Sequence, residues 1–479
     1  MAQEFASNSP LLLAQTIFKI CHYLEEGVIK IYQSINWEIE NFEEEVMPDI
    51  STLKDTDSII RLLGEHLRYI DGAVTRKLPW SIIKPVEKLA QSIIPGISFM
   101  FRPQWKYNYS VVTDDLRKFY YVILSEFEDI VERPIEDDVF TNFKEPFHII
   151  SFPSIERKNI LLHCLIGHEL GHLIIKKYKF IDEDLKKNFT KRIDSEVKKI
   201  VMDYYPKPFD ELDMFTRVYA REEVESSIRT VLQIWKRGLE EILSDIIGAL
   251  IFGPAMLFSM YELSLQKELD HKPDYRNYFY PPWRYRLREI IEVLQRPLAQ
   301  FFPIPAKYFP SRKRHKKINS RFELIKNLTE EEYDKQIIKE DPLVRIAYRE
   351  IEKDKNDFIL STNYFKNELM KKVLVPTKLF KDIEHLVIRV ENGLPPNAIE
   401  HSVENRRPAT LVEIINAAWL YKISWEKRLI NDDGELNHTL FEEIDTLNRL
   451  TLKAIEFSDI ETEYKKKGKK IFQEKRKIK

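Results

Sequence analysis

The segment LLHCLIGHELGHLIIKKY, residues 161–178, constrains the chain most, because it sets two histidines four positions apart in a stretch with helical periodicity. That spacing puts His168 and His172 on one face of a helix, one turn apart, where both can bind a single metal ion. Glu169 lies to the side of this face, from which it can reach a water beside the metal, as a general base must. The pattern predicts a metal-bearing helix.

A third ligand is needed, since HExxH also arises by chance in a chain of 479 residues. The segment GLEEILSDIIGALIFG, residues 238–253, places Glu241, Asp245 and Gly248 on one helical face. Glu241 can complete a His2Glu set that leaves a fourth zinc position open, and Asp245 can accept the outer ring N–H of a ligating histidine. The neighbouring Glu240 remains an alternative ligand. Zn²⁺ is the expected cofactor.

Glycines are concentrated in these two segments, although the chain has only 12 of them. In a helix interior each costs about 1 kcal/mol relative to alanine. The glycines in question are Gly167, Gly171, Gly238, Gly248 and Gly253. A close approach between the backbones of two metal-bearing helices would explain why glycine stands at these positions.

The two segments together resemble the HExxH plus ExxxD pair of the gluzincin zinc peptidases, and the second is similar to the thermolysin-family motif. The resemblance implies zinc-dependent peptide hydrolysis, with His168, His172 and Glu241 as metal ligands. It also implies Glu169 as the base and Asp245 as the partner of a ligand histidine. The rest of the chain resembles a prokaryotic HExxH family.

Further along the chain, YPPWRYR at 280–286 resembles the HPSxxxR segment of the prenyl-protein endopeptidase family. Tyr280 stands at that family's histidine and Arg286 at its arginine. Both are candidate catalytic residues that could donate to a tetrahedral intermediate, and His271 is a third candidate. Each of the first two has a structural alternative: Arg286 can tie this segment to the core, and Tyr280 can simply pack beside Pro281.

The periodicity of the chain predicts a mainly α-helical protein with a small β-sheet beside the zinc-binding helix pair. We expect an N-terminal helical region at 1–98, a metallopeptidase core at 99–300, a C-terminal helical region at 301–462 and a frayed basic tail at 463–479. A helical insertion at about 181–230 within the core is a hypothetical lid over the cleft.

Runs of β-branched and aromatic residues at 105–112, 119–124 and 147–152 predict the strands. The last run directly precedes the metal-bearing helix, so it is a candidate edge for pairing with an extended peptide; sheet core is an equal alternative. The apolar stretch 242–258 is interrupted by Asp245 and by glycine and proline, and it predicts a core helix rather than a membrane span.

The 75 basic and 77 acidic residues nearly cancel, which removes any whole-chain argument for binding nucleic acid or an anionic membrane. A basic loop at 311–317 and the basic tail at 465–479 could still contact a nucleic acid locally, and this remains an alternative. Two cysteines, Cys21 and Cys164, are too few for a disulfide framework and indicate a reducing compartment. Because the N-terminus also lacks the basic start of a secretory signal, a cytoplasmic location is expected.

These patterns predict a zinc-dependent hydrolase, an intracellular metallo-endopeptidase acting on a protein or peptide substrate. One alternative is a non-catalytic regulator or scaffold in which zinc ties two helices together. Glu169 speaks against it, since a structural site has no use for a base. The other alternative is a nucleic-acid-associated protein that uses its basic clusters.

Overall fold

The chain divides into two compact units, residues 1–159 and residues 160–479. The structure, a computed structural model, describes residues 13–24, 80–112, 115–125, 128–131, 145–265, 280–295, 301–308, 311–330, 341–361, 376–400, 406–424 and 438–477, with a few isolated positions between them. The boundaries predicted at residues 98 and 300 do not coincide with this division. The apolar positions expected to form helices at 59–70 lie outside the described residues.

The first unit contains helices and a three-stranded sheet. Its described elements are a helix at residues 13–24, α1 (Trp80–Ile93), β1 (Ser98–Gln104), β2 (Ser110–Val112), α2 (Leu116–Leu124), α3 (Glu128–Val131) and β3 (Phe147–Pro153). The strand order is β1-β3-β2, with β3 parallel to β1 and antiparallel to β2. All seven residues of β3 are buried, as a central strand requires.

The central position of β3 decides between its two predicted roles. Ile149, Ile150 and Ser151 pair with β1 on one side and with β2 on the other. Their backbone groups are therefore already used within the sheet, and the prediction that this segment offers a free edge to an extended peptide is wrong. Sheet core is the correct alternative.

One predicted strand, the run at 119–124, is instead part of helix α2. Asp115 caps this helix by accepting a hydrogen bond from the backbone N–H of Arg117 at 3.1 Å. Leu116, Tyr120 and Leu124 are buried at a spacing of four, which is a helical and not a strand pattern. The cap and this spacing outweigh the strand preference of the aromatic residues.

The second unit is almost entirely helical and contains the predicted metal-bearing helices. A 3-10 helix (Ile160–Leu165) leads into α4 (Ile166–Lys177), α5 (Glu183–Met202), α6 (Met214–Phe252), α7 (Pro254–Leu265), α8 (Trp283–Gln295), α9 (Arg312–Glu330), α10 (Pro342–Ser361), α11 (Pro376–Glu391), β4 (Ala398–Glu400), β5 (Arg406–Pro408), α12 (Leu411–Ile423) and α13 (His438–Lys477). The mainly α class with a small sheet is confirmed. The β4–β5 pair was not predicted.

Helix α6 is the axis of this unit and packs against α4, α5, α8 and α10. It begins at Met214, where Asp213 accepts a hydrogen bond from the backbone N–H of Thr216 at 3.0 Å. It ends at Gly253, whose φ of 62° favours glycine, and Pro254 then starts α7. The apolar stretch at 242–258 is thus two helices rather than one.

The predicted insertion at about 181–230 consists of α5, a short connection and the first half of α6. Arg192 on α5 contacts two residues of α10, Asp354 at 2.7 Å and Glu350 at 2.8 Å. Trp235 on α6 donates to the same Asp354 at 2.8 Å. These contacts dock α5 on α6 and α10 and give no support to a mobile lid.

The region beyond residue 300 also belongs to this unit. Helix α10 packs on α6, and α12 packs on α7. Helix α13 continues to Lys477, so the tail predicted at 463–479 is helical almost to its end rather than frayed. Among the described helices, none combines the length and apolar character needed to cross a membrane.

Candidate metal centre

The three predicted ligands come together between α4 and α6. The Nε2 atoms of His168 and His172 lie 3.0 Å apart. Glu241 brings Oε2 to 3.3 Å from Nε2 of His168 and Oε1 to 3.7 Å from Nε2 of His172. One ligand atom from each residue lies within 4.8 Å of the others. The group could therefore hold a metal ion.

Each histidine binds a carboxylate through its outer nitrogen. Nδ1 of His168 lies 2.8 Å from Oδ1 of Asp245, and Nδ1 of His172 lies 3.1 Å from Oε1 of Glu240. A carboxylate accepts, so each Nδ1 carries the proton and each Nε2 of a neutral ring presents a lone pair. Oε2 of Glu241 is buried without a hydrogen bond in the described part of the chain. A divalent cation among these atoms would satisfy all three, and this nitrogen and oxygen set suits zinc.

Electrostatics around the ligands favour a bound cation. Burial lowers the pKa of His168, but the nearby Asp245 and Glu241 carboxylates outweigh it and raise that pKa to about 10. Burial raises the pKa of Glu241, but His168 and Arg286 lower it far more, so its carboxylate is ionised at neutral pH. Positive charge is thus stabilised where the ligands converge.

Arg286 on α8 holds Asp245 in place. Its Nε donates to Oδ2 at 2.7 Å and its Nη2 to Oδ1 at 2.8 Å, a bidentate pair, while Nη1 lies 3.4 Å from Oε2 of Glu241. The guanidinium also lies over the ring of Trp283, 4.8 Å from its centre. Since its donors point at these two carboxylates, this geometry favours the predicted structural role over donation to a reaction intermediate.

Glu169 is the buried carboxylate of this cluster that keeps its oxygens available. Only 5% of the residue is exposed, and within the described part of the chain it forms no hydrogen bond or ion pair. Burial raises its pKa, although His168 and His172 act in the opposite direction. A carboxylate whose pKa lies above its ordinary value is a stronger proton acceptor than an exposed carboxylate, as a general base beside a metal site must be.

Tyr280 and His271 are the other candidates that the sequence offers. Tyr280 is 37% exposed and precedes α8, close enough to Arg286 to affect the pKa of the guanidinium. His271 lies outside the described residues. Cys164 is a buried core thiol, and burial raises its pKa to about 12.

Close contact between α4 and α6 explains the glycines at the site. A methyl group on Gly171 would lie 2.6 Å from Cα of Ser244, and one on Gly248 would lie 3.0 Å from the backbone nitrogen of His168. Neither position can accept a side chain without moving a backbone. The predicted close approach of the two helices is confirmed, and it brings Glu241 to the histidines.

Sequence reasoning missed how Glu240 and Arg286 are used. The sequence offers Glu240 as an alternative ligand, but in the structure it accepts a hydrogen bond from the outer nitrogen of His172. A structural role is one of the two predictions for Arg286, but the sequence does not identify its partner, Asp245, which lies 41 positions away. The sequence shows a carboxylate, Glu240, next to the ligand Glu241, and an arginine, Arg286, in a predicted helix. Neither observation identifies the residue that each contacts in the fold.

Comparison with known proteins adds no relative: no family model, no curated protein and no solved structure matches this chain.

Proposed function

We propose that this chain is a zinc-dependent hydrolase and that it cleaves peptide bonds. The observation that carries the proposal is the convergence of His168, His172 and Glu241 with Glu169 beside them as an unpaired buried carboxylate among the described residues. Burying such a group costs free energy, and a metal that merely joins two helices would not need it. The resemblance to the gluzincin motifs supports peptide hydrolysis.

Each residue of the site has a distinct role in the proposed reaction. Zinc, when bound by His168, His172 and Glu241, would supply Lewis-acid polarisation of the scissile carbonyl and of the attacking water. Glu169 would accept the proton of that water and pass it to the leaving amine. Asp245 keeps the proton of His168 on Nδ1, which leaves Nε2 free to act as a ligand.

Two further residues act through these groups. Glu240 orients His172 in the way that Asp245 orients His168. Arg286 fixes Asp245 and offsets part of the negative charge of the two carboxylates. We place both among the positioning residues. We further propose an endopeptidase acting on a protein or peptide, and a cytoplasmic location.

The test combines metal analysis with an assay for cleavage of an unfolded protein, applied to the parent chain, Glu169→Gln and Glu241→Ala. The parent should carry one zinc per chain. Glu169→Gln should keep the zinc and lose cleavage by about 10²- to 10⁴-fold, because only the base is removed. Glu241→Ala should lose both, because a ligand is removed.

Two further variants separate a residue that orients a ligand from one outside the site. Glu240→Ala should weaken zinc binding by about 10- to 100-fold without abolishing it, as expected for a residue that orients a ligand. Glu222→Gln, in the exposed part of α6, should match the parent. A parent chain without zinc would refute the metal centre. Zinc with undiminished cleavage by Glu169→Gln would refute the assigned base, and zinc with no cleavage of any unfolded protein would favour the regulator.

A further inference from the structure

The basic cluster at 311–317 forms the start of helix α9 and not a loop. Six consecutive positions from Arg312 to Lys317 carry arginine, lysine or histidine, and the first turn has no acidic residue. Positive charge is unfavourable at a helix N-terminus, where the backbone N–H groups already concentrate partial positive charge. This arrangement costs folding stability, so folding does not account for it.

The cations are not spread evenly around α9. Lys313, Lys316, Lys317 and Arg321 recur at helical spacing and line one shallow groove of about 640 Å³. Ser320, Leu324 and Ile423 complete its lining. No carboxylate lines the groove in the part of the chain that the structure describes. We call these four basic residues and Ser320 the α9 cationic face.

Arg314, which does not line this groove, forms ion pairs within the fold. Arg314 lies 2.7 Å from Glu391 and 3.6 Å from Glu384. On the cationic face, by contrast, Lys316 and Arg321 are exposed and form no hydrogen bond or ion pair with another described residue. The neighbouring groove on α9 shares Lys316 and Ser320 with the cationic face but is also lined by Glu323, whereas the described lining of the cationic face contains no carboxylate.

We propose that the α9 cationic face binds the phosphate backbone of a nucleic acid. The four cations span nine residues, so the first and the last are about 12 Å apart along the helix at 1.5 Å per residue, which is enough to contact successive phosphates. Ser320 adds a hydroxyl of the kind that bonds phosphate oxygens. None of the described residues that line the groove is aromatic, so no base can stack on them, and we expect a contact to the backbone without sequence preference.

The test measures binding of fluorescently labelled short DNA and RNA duplexes to the full chain by anisotropy over a range of salt concentrations. Four phosphate contacts predict a slope of log K against log salt of about −3.6 on B-DNA. The double variant Lys316→Glu with Arg321→Glu should lower affinity at least about tenfold and reduce the slope by about two. Circular dichroism should show an unchanged helical content.

A matched control reverses the same number of charges elsewhere. Lys187→Glu with Lys191→Glu, both exposed on α5, should bind the duplexes within about twofold of the parent, since they lie off the groove. Equal weakening in the two double variants would show a non-specific charge effect and overturn the proposal, as would absence of binding by the parent. Polyglutamate binding as tightly as the duplexes would assign the face to an acidic protein instead.

Discussion

The two halves of helix α6 are made from one continuous backbone, yet their side chains meet opposite environments. From Val231 onward most side chains are buried, and this half carries Glu241 and Asp245. The half before it is largely exposed and displays Met214 at 80% and Phe215 at 88% exposure. Helix formation alone therefore does not explain the buried half. Packing against α4, α8 and α10 does, and this packing brings Glu241 to His168 and Asp245 to Arg286.

The same contrast holds for ion pairs on the two halves. Glu225 and Arg229 in the exposed half lie 3.8 Å apart, with side chains 59% and 65% exposed. Asp245 in the buried half pairs with Arg286 at 2.7 Å, with side chains 0% and 6% exposed. Water screens the exposed pair but does not reach the buried pair. Removing one partner should therefore lower the free energy of unfolding much more for the buried pair than for the exposed one.

The largest effect is expected from Asp245→Asn. The substitution keeps the shape of the side chain but leaves the buried guanidinium of Arg286 without a bidentate partner, which should lower the free energy of unfolding by about 3–5 kcal/mol. It also weakens the acceptor for His168, so zinc affinity should fall about 10- to 100-fold. Denaturant unfolding and metal titration measure the two effects.

Its control is Glu225→Gln in the exposed half of the same helix. That variant should unfold within about 0.5 kcal/mol of the parent and bind metal equally well. If the two substitutions cost similar stability, burial does not distinguish the halves of α6, and the pair formed by Asp245 and Arg286 is not the support of the site.

The site was predictable from the sequence to the extent that helical spacing determines it. The period of a helix predicts that His168 and His172 share one face and that Asp245 lies on the same face as Glu241. The glycines of α4 and α6 predict the close approach of these two helices. The partner of Asp245 did not follow, because Arg286 arrives from a separate helix and spacing within one helix carries no information about the next. The use of Glu240 by His172 depends on the same tertiary geometry.

The fold was predictable in class and less so in its boundaries. The run at 119–124 has the aromatic residues of a strand, but a cap at Asp115 and a buried face at spacing four make it a helix. The first turns of α6, from Met214, are largely exposed, so no buried face marks where this helix begins. The division at residue 159 arises from contacts that local patterns do not encode.

A smaller effect is expected from Gly171→Ala, which probes the contact between α4 and the buried half of α6. The added methyl group would lie 2.6 Å from Cα of Ser244, so the helices must separate. Overpacking of this kind costs about 1–3 kcal/mol, and the separation should also reduce bound zinc. Thermal unfolding with and without a chelator measures both quantities.

The matched change in the exposed half is Ser226→Ala, which also ends in alanine but meets solvent. It should alter stability by no more than about 0.5 kcal/mol and leave the zinc content unchanged. A parent-like Gly171→Ala protein would mean that the two helices can separate without cost, and the glycines would then need another explanation.

The smallest effect is expected from Phe215→Ser, which removes the most exposed aromatic side chain of α6. Because 88% of Phe215 is in solvent, its loss should change the free energy of unfolding by less than about 0.5 kcal/mol and leave zinc binding intact. Leu239→Ala, at a fully buried position of the same helix, should cost about 2–5 kcal/mol by opening a cavity. Equilibrium unfolding of both variants compares the halves directly. A loss above 1 kcal/mol for Phe215→Ser, beyond the range of exposed sites, would show that this surface is covered in solution and that the two halves of α6 differ less than their exposure indicates.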